Sequence, residues 1–410
     1  MDPSELGARP SRHRPRRRIR RTASPRVLLT PRNEENPYLP LLKRSLEDVG
    51  VRIEWLRVEV TGSQTCNALL LPVELVRERL RGFNIIHLQW AYNFAWLWTR
   101  RLPAVRRLPR WWFAFILWFA EAIGYRIVYT SHEPLPLSPV FDDDIAGRRP
   151  IFGRASGIIT ITEAAKRQLA GEFGVSPERL QVIPEGAPTV VGGIARDDAR
   201  GRLGIARDTP LVVMFGRLDP YKGVDVLLRA VLELPGEIRL AVRLLGLAAN
   251  EAFAERIEEL LAAVCATGRD ARWDRGAFSD EDLEVLLAAA DLFAAPFQWI
   301  SNSGSMRAAM AHEVPVVVPD LPELADVPED GVYRYDRTAP DGLREVLARA
   351  LRARPEERAA RVSAAREWVT GWTWHEVAVA TASVYERALR GESMTGEVGG
   401  RVGEISSVRS

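Results

Sequence analysis

Apolar and polar positions in this chain alternate in blocks, short apolar runs bounded by polar turns and then stretches with helical spacing. Residues 26–30 close on VLLT and predict a first strand, with a polar loop over 31–40 behind it. Helical spacing follows at 41–49, a strand at 51–60, a helix at 72–81 and a short buried strand, NIIHL, at 84–88. Further strands are predicted at 126–130 (RIVYT), 157–162 (GIITIT) and 180–184 (LQVIP), with a helix at 163–173. Residues 188–208, with Gly192-Gly193 and a broken charged pattern, read as a linker and the entry to a second domain. The alternation then restarts. Strands are predicted at 211–215, 238–245, near 272–278, 291–295 and 315–318, and helices at 224–234, 250–264, 279–290, 303–312 and after 339. Strands alternating with helices predict an α/β fold in which parallel sheets are covered on both faces. Two doubly wound, Rossmann-like halves facing a cleft result, and ligands are expected at the carboxyl ends of the strands.

One strand end carries distinctive chemistry. In VVMFGRLDPYKGVDVLL, residues 212–228, the strand stops at Phe215, Gly216-Arg217 opens a turn, and Lys222-Gly223 precedes a helix. Two cations and the free amides of a helix N-terminus then meet at one place, which suits a diphosphate. Glycine allows the backbone to approach such a ligand closely. A pair of surface cations beside a turn is the plainer alternative.

Composition narrows the class. With 410 residues, 47% hydrophobic and 27% charged, the chain suits two soluble domains with short tails. Its two cysteines, Cys66 and Cys265, lie far apart without metal-ligand spacing, so a reducing cytoplasm is expected. The net charge of +2 is uneven: residues 1–26 hold nine arginines against Asp2 and Glu5, a local +7 that leaves about −5 elsewhere. No apolar core follows this arm as a secretory signal requires, so export is not expected. A solvated tail and contact with an anionic membrane surface both fit the arm. A nucleic-acid partner is not expected, for no nucleic-acid module or aromatic-basic stripe accompanies it.

The 212–228 segment closely resembles the donor-phosphate segment of the GT-B glycosyltransferases of glycosyltransferase family 4. That resemblance covers nearly the whole chain apart from its tails. It implies a metal-independent transfer in which Arg217 and Lys222 neutralise the leaving diphosphate, a nucleotide sugar being substrate and no cofactor being required. His132, in YTSHEP after the 126–130 strand, stands where family members carry a histidine, which implies a hydrogen bond to the donor sugar; a loop histidine with local partners is the alternative. Its neighbour Glu133 is either a base or solvent-facing, and His87, in IIHLQW, either packs or meets the acceptor. Asn302, Ser303, Gly304 and Ser305, in the run from Ser301 to Met306, can cap a helix or hold sugar and ribose hydroxyls. Here the chain departs from the family, placing Ile300 and Ala308 where two glutamates usually stand. The run N-S-G-S, with Asn36-Pro37-Tyr38 early in the chain, resembles a bacterial polysaccharide subgroup.

Two further runs bear on partners. Asp142-Asp143-Asp144 invites a metal reading, but acidic residues before a helix also cap it and complement its dipole. No metal is expected. The apolar run 111–120, WWFAFILWFA, is too short to span a bilayer, which takes about 20 residues as a helix. Flanked by Arg100, Arg101, Arg106, Arg107 and Arg110, it is either a buried helix or one lying in a membrane interface.

The expected organisation is a disordered arm at 1–25, an acceptor-side domain at 26–190, a donor domain at 191–372, a helix at 373–390 crossing back to the first domain, and a disordered tail at 391–410. The expected activity is retaining transfer of a sugar to a glycan or polyprenyl-linked acceptor in bacterial surface polysaccharide synthesis, in the cytoplasm at the inner face of the plasma membrane. Asn36, His87 and Glu133 are the acceptor-side candidates. A binding or scaffold subunit without turnover, and a nucleotide-sugar epimerase on the same fold, are the alternatives.

Overall fold

The computed structural model describes residues 24–33, 36–57, 61, 63–90, 105, 107–133, 141, 143–300 and 302–394. Most of the arm and the C-terminal tail, residues 91–104, Asp142 and Ser301 therefore lie outside the described residues. The first half holds β1 (Arg26–Thr30), α1 (Tyr38–Asp48), β2 (Arg52–Trp55), α2 (Gln64–Leu80), β3 (Ile85–Leu88), α3 (Leu108–Ala122), β4 (Arg126–Ser131), α4 (Asp144–Arg154), β5 (Gly157–Thr160), α5 (Glu163–Gly171) and β6 (Leu180–Val182). The second holds α6 (Arg196–Leu203), β7 (Leu211–Phe215), α7 (Val224–Leu232), β8 (Ala241–Leu245), α8 (Glu251–Ala266), β9 (Asp270–Asp274), α9 (Asp280–Ala289), β10 (Leu292–Ala294), α10 (Gly304–Ala311), β11 (Val316–Pro319), β12 (Tyr333–Tyr335), α11 (Gly342–Leu351) and α12 (Pro355–Thr370). A last helix, α13, spans Trp374–Arg390.

Each half contains one parallel six-stranded sheet, ordered β2-β1-β3-β4-β5-β6 and β12-β11-β10-β7-β8-β9. Strand residues are buried on both faces, and alternate residues feed different cores. Leu28 packs with Leu71 and Leu75 of α2 and Phe113 and Leu117 of α3. Its neighbours Val27 and Leu29 pack on the opposite face with Leu39 and Leu42 of α1 and Val384 of α13. The second sheet repeats the division: Val212 and Met214 face α7, α8 and α11, while Val213 and Phe215 face α9, α10 and α12. Thus the two doubly wound halves read from the sequence are present.

Several boundaries differ. The helix expected at 72–81 begins at Gln64, because Ser63 accepts from the Cys66 N–H and starts it upstream, with Pro72 inside the helix. The supposed linker contains α6, whose buried Arg200 donates to Ala289 O at 2.9 Å and pairs with Asp291 at 3.2 Å. Short β12 was also not expected from the pattern. Among the described residues no helix is long and apolar enough to cross a membrane.

After completing the second half, the chain returns to the first. Thr373 and Glu376 form a capping box that starts α13. Val377, Ala378, Ala380, Val384 and Tyr385 then enter the core shared by α1 and the first sheet. The Tyr385 hydroxyl meets His87 Nδ1 at 2.7 Å inside that core. Tyr385→Phe should cost about 1–3 kcal/mol, since a buried polar group loses its partner. The check is a lower urea midpoint with unchanged slope; an unmoved midpoint would mean that Gln89, whose Nε2 lies 3.3 Å from the same nitrogen, replaces the lost contact.

Candidate functional site

In both sheets the strand order reverses beside the first strand, between β1 and β3 and between β7 and β10. Such switch points open a crevice at the carboxyl ends of the strands. The loops after β7 and β10 flank the second crevice and are packed backbone to backbone. A Cβ on Gly223 would lie 2.1 Å from Pro296 O, and one on Gly246, which follows β8, would lie 2.1 Å from Gly216 O. All three glycines have positive φ, +98° at Gly216, +72° at Gly223 and +125° at Gly246. Gln298 N donates to Tyr221 O at 2.7 Å, and the Tyr221 and Trp299 rings lie 4.9 Å apart.

This packing turns Lys222 inward. Its Nζ lies over Gly216, 3.0 Å from where a Cβ would stand. The residue is only 9% exposed, yet its ammonium makes no hydrogen bond or ion pair among the described residues. Burial lowers its pKa to about 8, with Asp219 acting in the opposite direction. Arg217 reaches outward, its side chain 70% exposed, and its Nε donates to Asp219 Oδ1 at 3.1 Å. Gly223 starts α7 without a side-chain cap. A buried cation, unpaired among the described residues and beside an uncapped helix start, suits an anion.

The loop before α10 is partly committed to structure. Ser303 Oγ accepts from Met306 N at 3.1 Å, which makes it the cap, and it meets Ser305 Oγ at 3.2 Å. Asn302 Oδ1 accepts from Ser303 N, and its Nδ2 donates to Glu185 Oε2 at 2.8 Å. Gly304, the first residue of α10, is exposed. Ile300 is buried in the core and Ala308 packs against it.

On the facing wall, His132 is buried, stacked on Trp90 with centroids 4.3 Å apart and edge-on to Tyr38 at 4.8 Å. Its Nε2 meets Gln89 Oε1 at 2.9 Å, so Nε2 carries the proton and Nδ1 remains an acceptor. Burial pushes its pKa down to about 3, keeping the ring neutral. Glu133 follows, its backbone carbonyl accepting from Arg148 Nη1 at 2.8 Å. Burial raises its carboxyl to about 7, opposed by the Trp90 indole N–H that donates to it. Burial, then Asp219 and Glu133, push the Tyr221 hydroxyl up to about 12, so Glu133 faces the β7 loop across the cleft.

His87 and Asn36 depart from their acceptor-side reading, whereas the acidic run caps its helix as expected. His87 is completely buried, with Nδ1 on Tyr385 and Nε2 2.8 Å from Thr130 Oγ1; it packs and does not reach an acceptor. Asn36 Oδ1 accepts from Tyr38 N at 3.0 Å, so this side chain organises the start of α1. Asp143 caps α4 through Ala146 N at 2.9 Å, and Asp144 Oδ1 accepts from Phe141 N at 2.9 Å. Sequence reasoning holds Tyr38, Gln89 and Trp90 only within the NPY and IIHLQW runs, assigning them no role, and misses Glu185. Gln89, Trp90 and Glu185 follow strand ends, the one signal that could have found them.

Comparisons with known proteins agree with this fold. Residues 10–190 match the family model described as Glycosyltransferase Family 4, and residues 209–353 that described as Glycosyl transferases group 1. The D-inositol 3-phosphate glycosyltransferase of Xylanimonas cellulosilytica is 30% identical over 255 residues, 60% of each chain. The MMP alpha-(1->4)-mannosyltransferase of Mycolicibacterium hassiacum is 28% identical over 288 residues, 65% of this chain and 66% of that one. The chain therefore spans about three fifths of the length of the curated relatives it matches. Among solved structures, sucrose-phosphate synthase from Thermosynechococcus elongatus superposes with a TM-score of 0.67 at 18% identity, over 90% of this chain and 100% of that one. HepE of Anabaena, in complex with UDP and glucose, gives 0.64 at 18% identity, over 88% and 99%. These likenesses are to the fold.

The Lys222 pKa gives the anion site a signature. A bound anion raises that pKa from about 8, so binding takes up protons above about pH 8 and almost none near pH ~6. Calorimetry with sulfate, an anion that does not titrate in this range, in buffers of differing ionisation enthalpy, should show buffer-dependent heats only at the higher pH. Lys222→Met should abolish the dependence.

Proposed function

With the two-domain fold of the GT-B glycosyltransferases as premise, we propose that this chain transfers one sugar from a nucleoside diphosphate sugar to a glycan or lipid-linked acceptor. The observation that carries the proposal is the buried ammonium of Lys222 over Gly216, unpaired among the described residues and beside the uncapped start of α7. Lys222 and Arg217 stabilise charge developing on the departing diphosphate, the role that resident cations play best in a closed, dry cleft. His132 offers Nδ1 to a donor-sugar hydroxyl, and Asn302, Ser303, Gly304 and Ser305 line the donor side. Glu133, half ionised near neutral pH, is the acceptor-side base. Transfer is metal-independent and retains the anomeric configuration. A binding subunit without turnover is the second reading, favoured by apolar Ile300 and Ala308.

The acceptor reading is supported by an apolar outer face. On α2, Leu69, Val73, Val76 and Leu80 form one exposed stripe, Leu80 at 84%. On α3, Leu108, Trp111, Phe115 and Trp118 form another, Trp111 at 67%. Both helices cover the same sheet face, and Trp112 Nε1 donates to Ala68 O at 3.0 Å between them. Residues 64–122 hold eight arginines against Glu74, Glu78 and Glu121. Apolar stripes with Trp and Arg at their edges fit an anionic membrane interface, where the arm at 1–26 would add its charge and a polyprenyl-linked acceptor would be met. Surface polysaccharide synthesis suits such an acceptor; the name D-inositol 3-phosphate glycosyltransferase makes inositol 3-phosphate another to test.

Two measurements follow. Calorimetry with UDP, GDP, ADP and dTDP, without and then with divalent metal, should find one that binds without it, and Arg217→Ala or Lys222→Ala should weaken it about ten- to a hundredfold. Unchanged affinity in both variants would sink the phosphate site. In vesicle flotation, the protein should bind phosphatidylglycerol-containing membranes over pure phosphatidylcholine, and Val73→Glu with Trp111→Glu should release it without altering nucleotide affinity.

A further inference from the structure

Glu185 stands outside every constellation read from the sequence. It follows β6, where the chain leaves the first sheet, yet its backbone is held by the second domain. Arg307 of α10 donates from Nη2 to Glu185 O at 2.7 Å and to Gly186 O at 3.2 Å. Arg307 is itself buried, its guanidinium 5.4 Å from the centroid of Trp368. Gly186 lies flat on Trp374, where a Cβ would come within 2.6 Å of the indole, and Ala187 N donates to Trp372 O at 2.8 Å. The position of Glu185 is thereby fixed from three sides.

The carboxylate is only half used. Oε2 accepts from Asn302 Nδ2 at 2.8 Å and lies 3.7 Å from Arg307 Nε, whereas Oε1 makes no hydrogen bond among the described residues. The side chain is 18% exposed and Oε1 is not among the fully buried unpaired atoms, so Oε1 keeps access to solvent. Tyr38 lies within its field, its hydroxyl held far above the ordinary range by burial first and by Glu185 second. Glu185 thus stands between the start of α10 and the aromatic wall of α1, at the mouth shared by both domains. Residues 296–311 contain no aspartate or glutamate, so no other carboxylate comes from the loop itself.

We propose that Glu185 is a substrate-binding residue of the donor site, its Oε1 accepting hydrogen bonds from sugar hydroxyls of the bound nucleotide sugar. An ionised carboxylate is the strong acceptor for such groups, and its rigid anchoring fixes which hydroxyls it can reach. The assignment rests on the nucleotide-sugar reading above. The hydroxyls belong either to the ribose or to the transferred sugar.

Glu185→Gln separates this role from a structural one. The amide oxygen still accepts from Asn302, while the free oxygen becomes an N–H donor. Calorimetry would use whichever of UDP, GDP, ADP or dTDP binds the unaltered protein, together with its 2′-deoxy or 3′-deoxy analogue and its glucose conjugate. Glu185→Gln is expected to weaken binding about tenfold or more. Weakening of the parent nucleotide, matched by the deoxy analogues on unaltered protein, assigns the ribose. Weakening of the glucose conjugate alone assigns the transferred sugar. The deoxy analogues probe the ribose contact without altering the protein. Unchanged affinity of Glu185→Gln for both nucleotide and conjugate overturns the assignment and leaves the donor site standing. Failure of the unaltered protein to bind any nucleotide overturns the donor reading and the assignment together.

Discussion

The close approach of the loops after β7, β8 and β10 is the constraint on which the second crevice depends. Backbone meets backbone at Gly216, Gly223 and Gly246, where a Cβ would collide with a carbonyl oxygen or with the Lys222 ammonium. That contact presses Lys222 inward and removes most of its water, with Asp219 only partly offsetting the loss and no ion pair among the described residues. A buried cation in this state is costly until an anion arrives. Its depressed pKa is the same fact expressed in protons. Any anion bound there would couple to the proton on this one side chain.

Facing this cation is a wall built on different terms. His132, Gln89 and His87 form a buried polar chain that runs through Tyr385 into α13. Each member is neutral or amide-like, so the chain orients groups without adding charge. His87, the interior link, fixes the geometry of the exterior one. Among the described residues of this wall, Glu133 has its carboxyl raised to about 7 by burial.

The domain junction couples the two walls. Arg307 binds the carbonyls of residues 185 and 186, Asn302 binds the Glu185 side chain, and Trp374 covers Gly186. Glu163 N also donates to Asp326 Oδ2 at 2.6 Å across the same junction. The α10 loop is therefore tied to the segment joining the domains, and relative movement of the halves would be felt there.

Apolar runs such as VLLT and PVVV determined the strands by themselves, because a parallel strand buried on both faces needs no alternation to be recognised. Gly216, Arg217, Lys222 and Gly223 were legible too, since turn, cation and helix start lie within eight consecutive residues. Local pattern could not place His87, whose partner Tyr385 lies 298 positions away. Nor could it reveal the outward stripe of α2, because apolar spacing states that a helix has a face and not which face the sheet covers. Glu185 offered only its place after a strand end, for its neighbours Asn302 and Arg307 come from the other domain. Local order follows from short-range sterics and hydrophobic spacing. The burial of Lys222, the sealing of His87 and the half-used carboxylate of Glu185 follow from contacts between distant segments, which only the folded chain brings together.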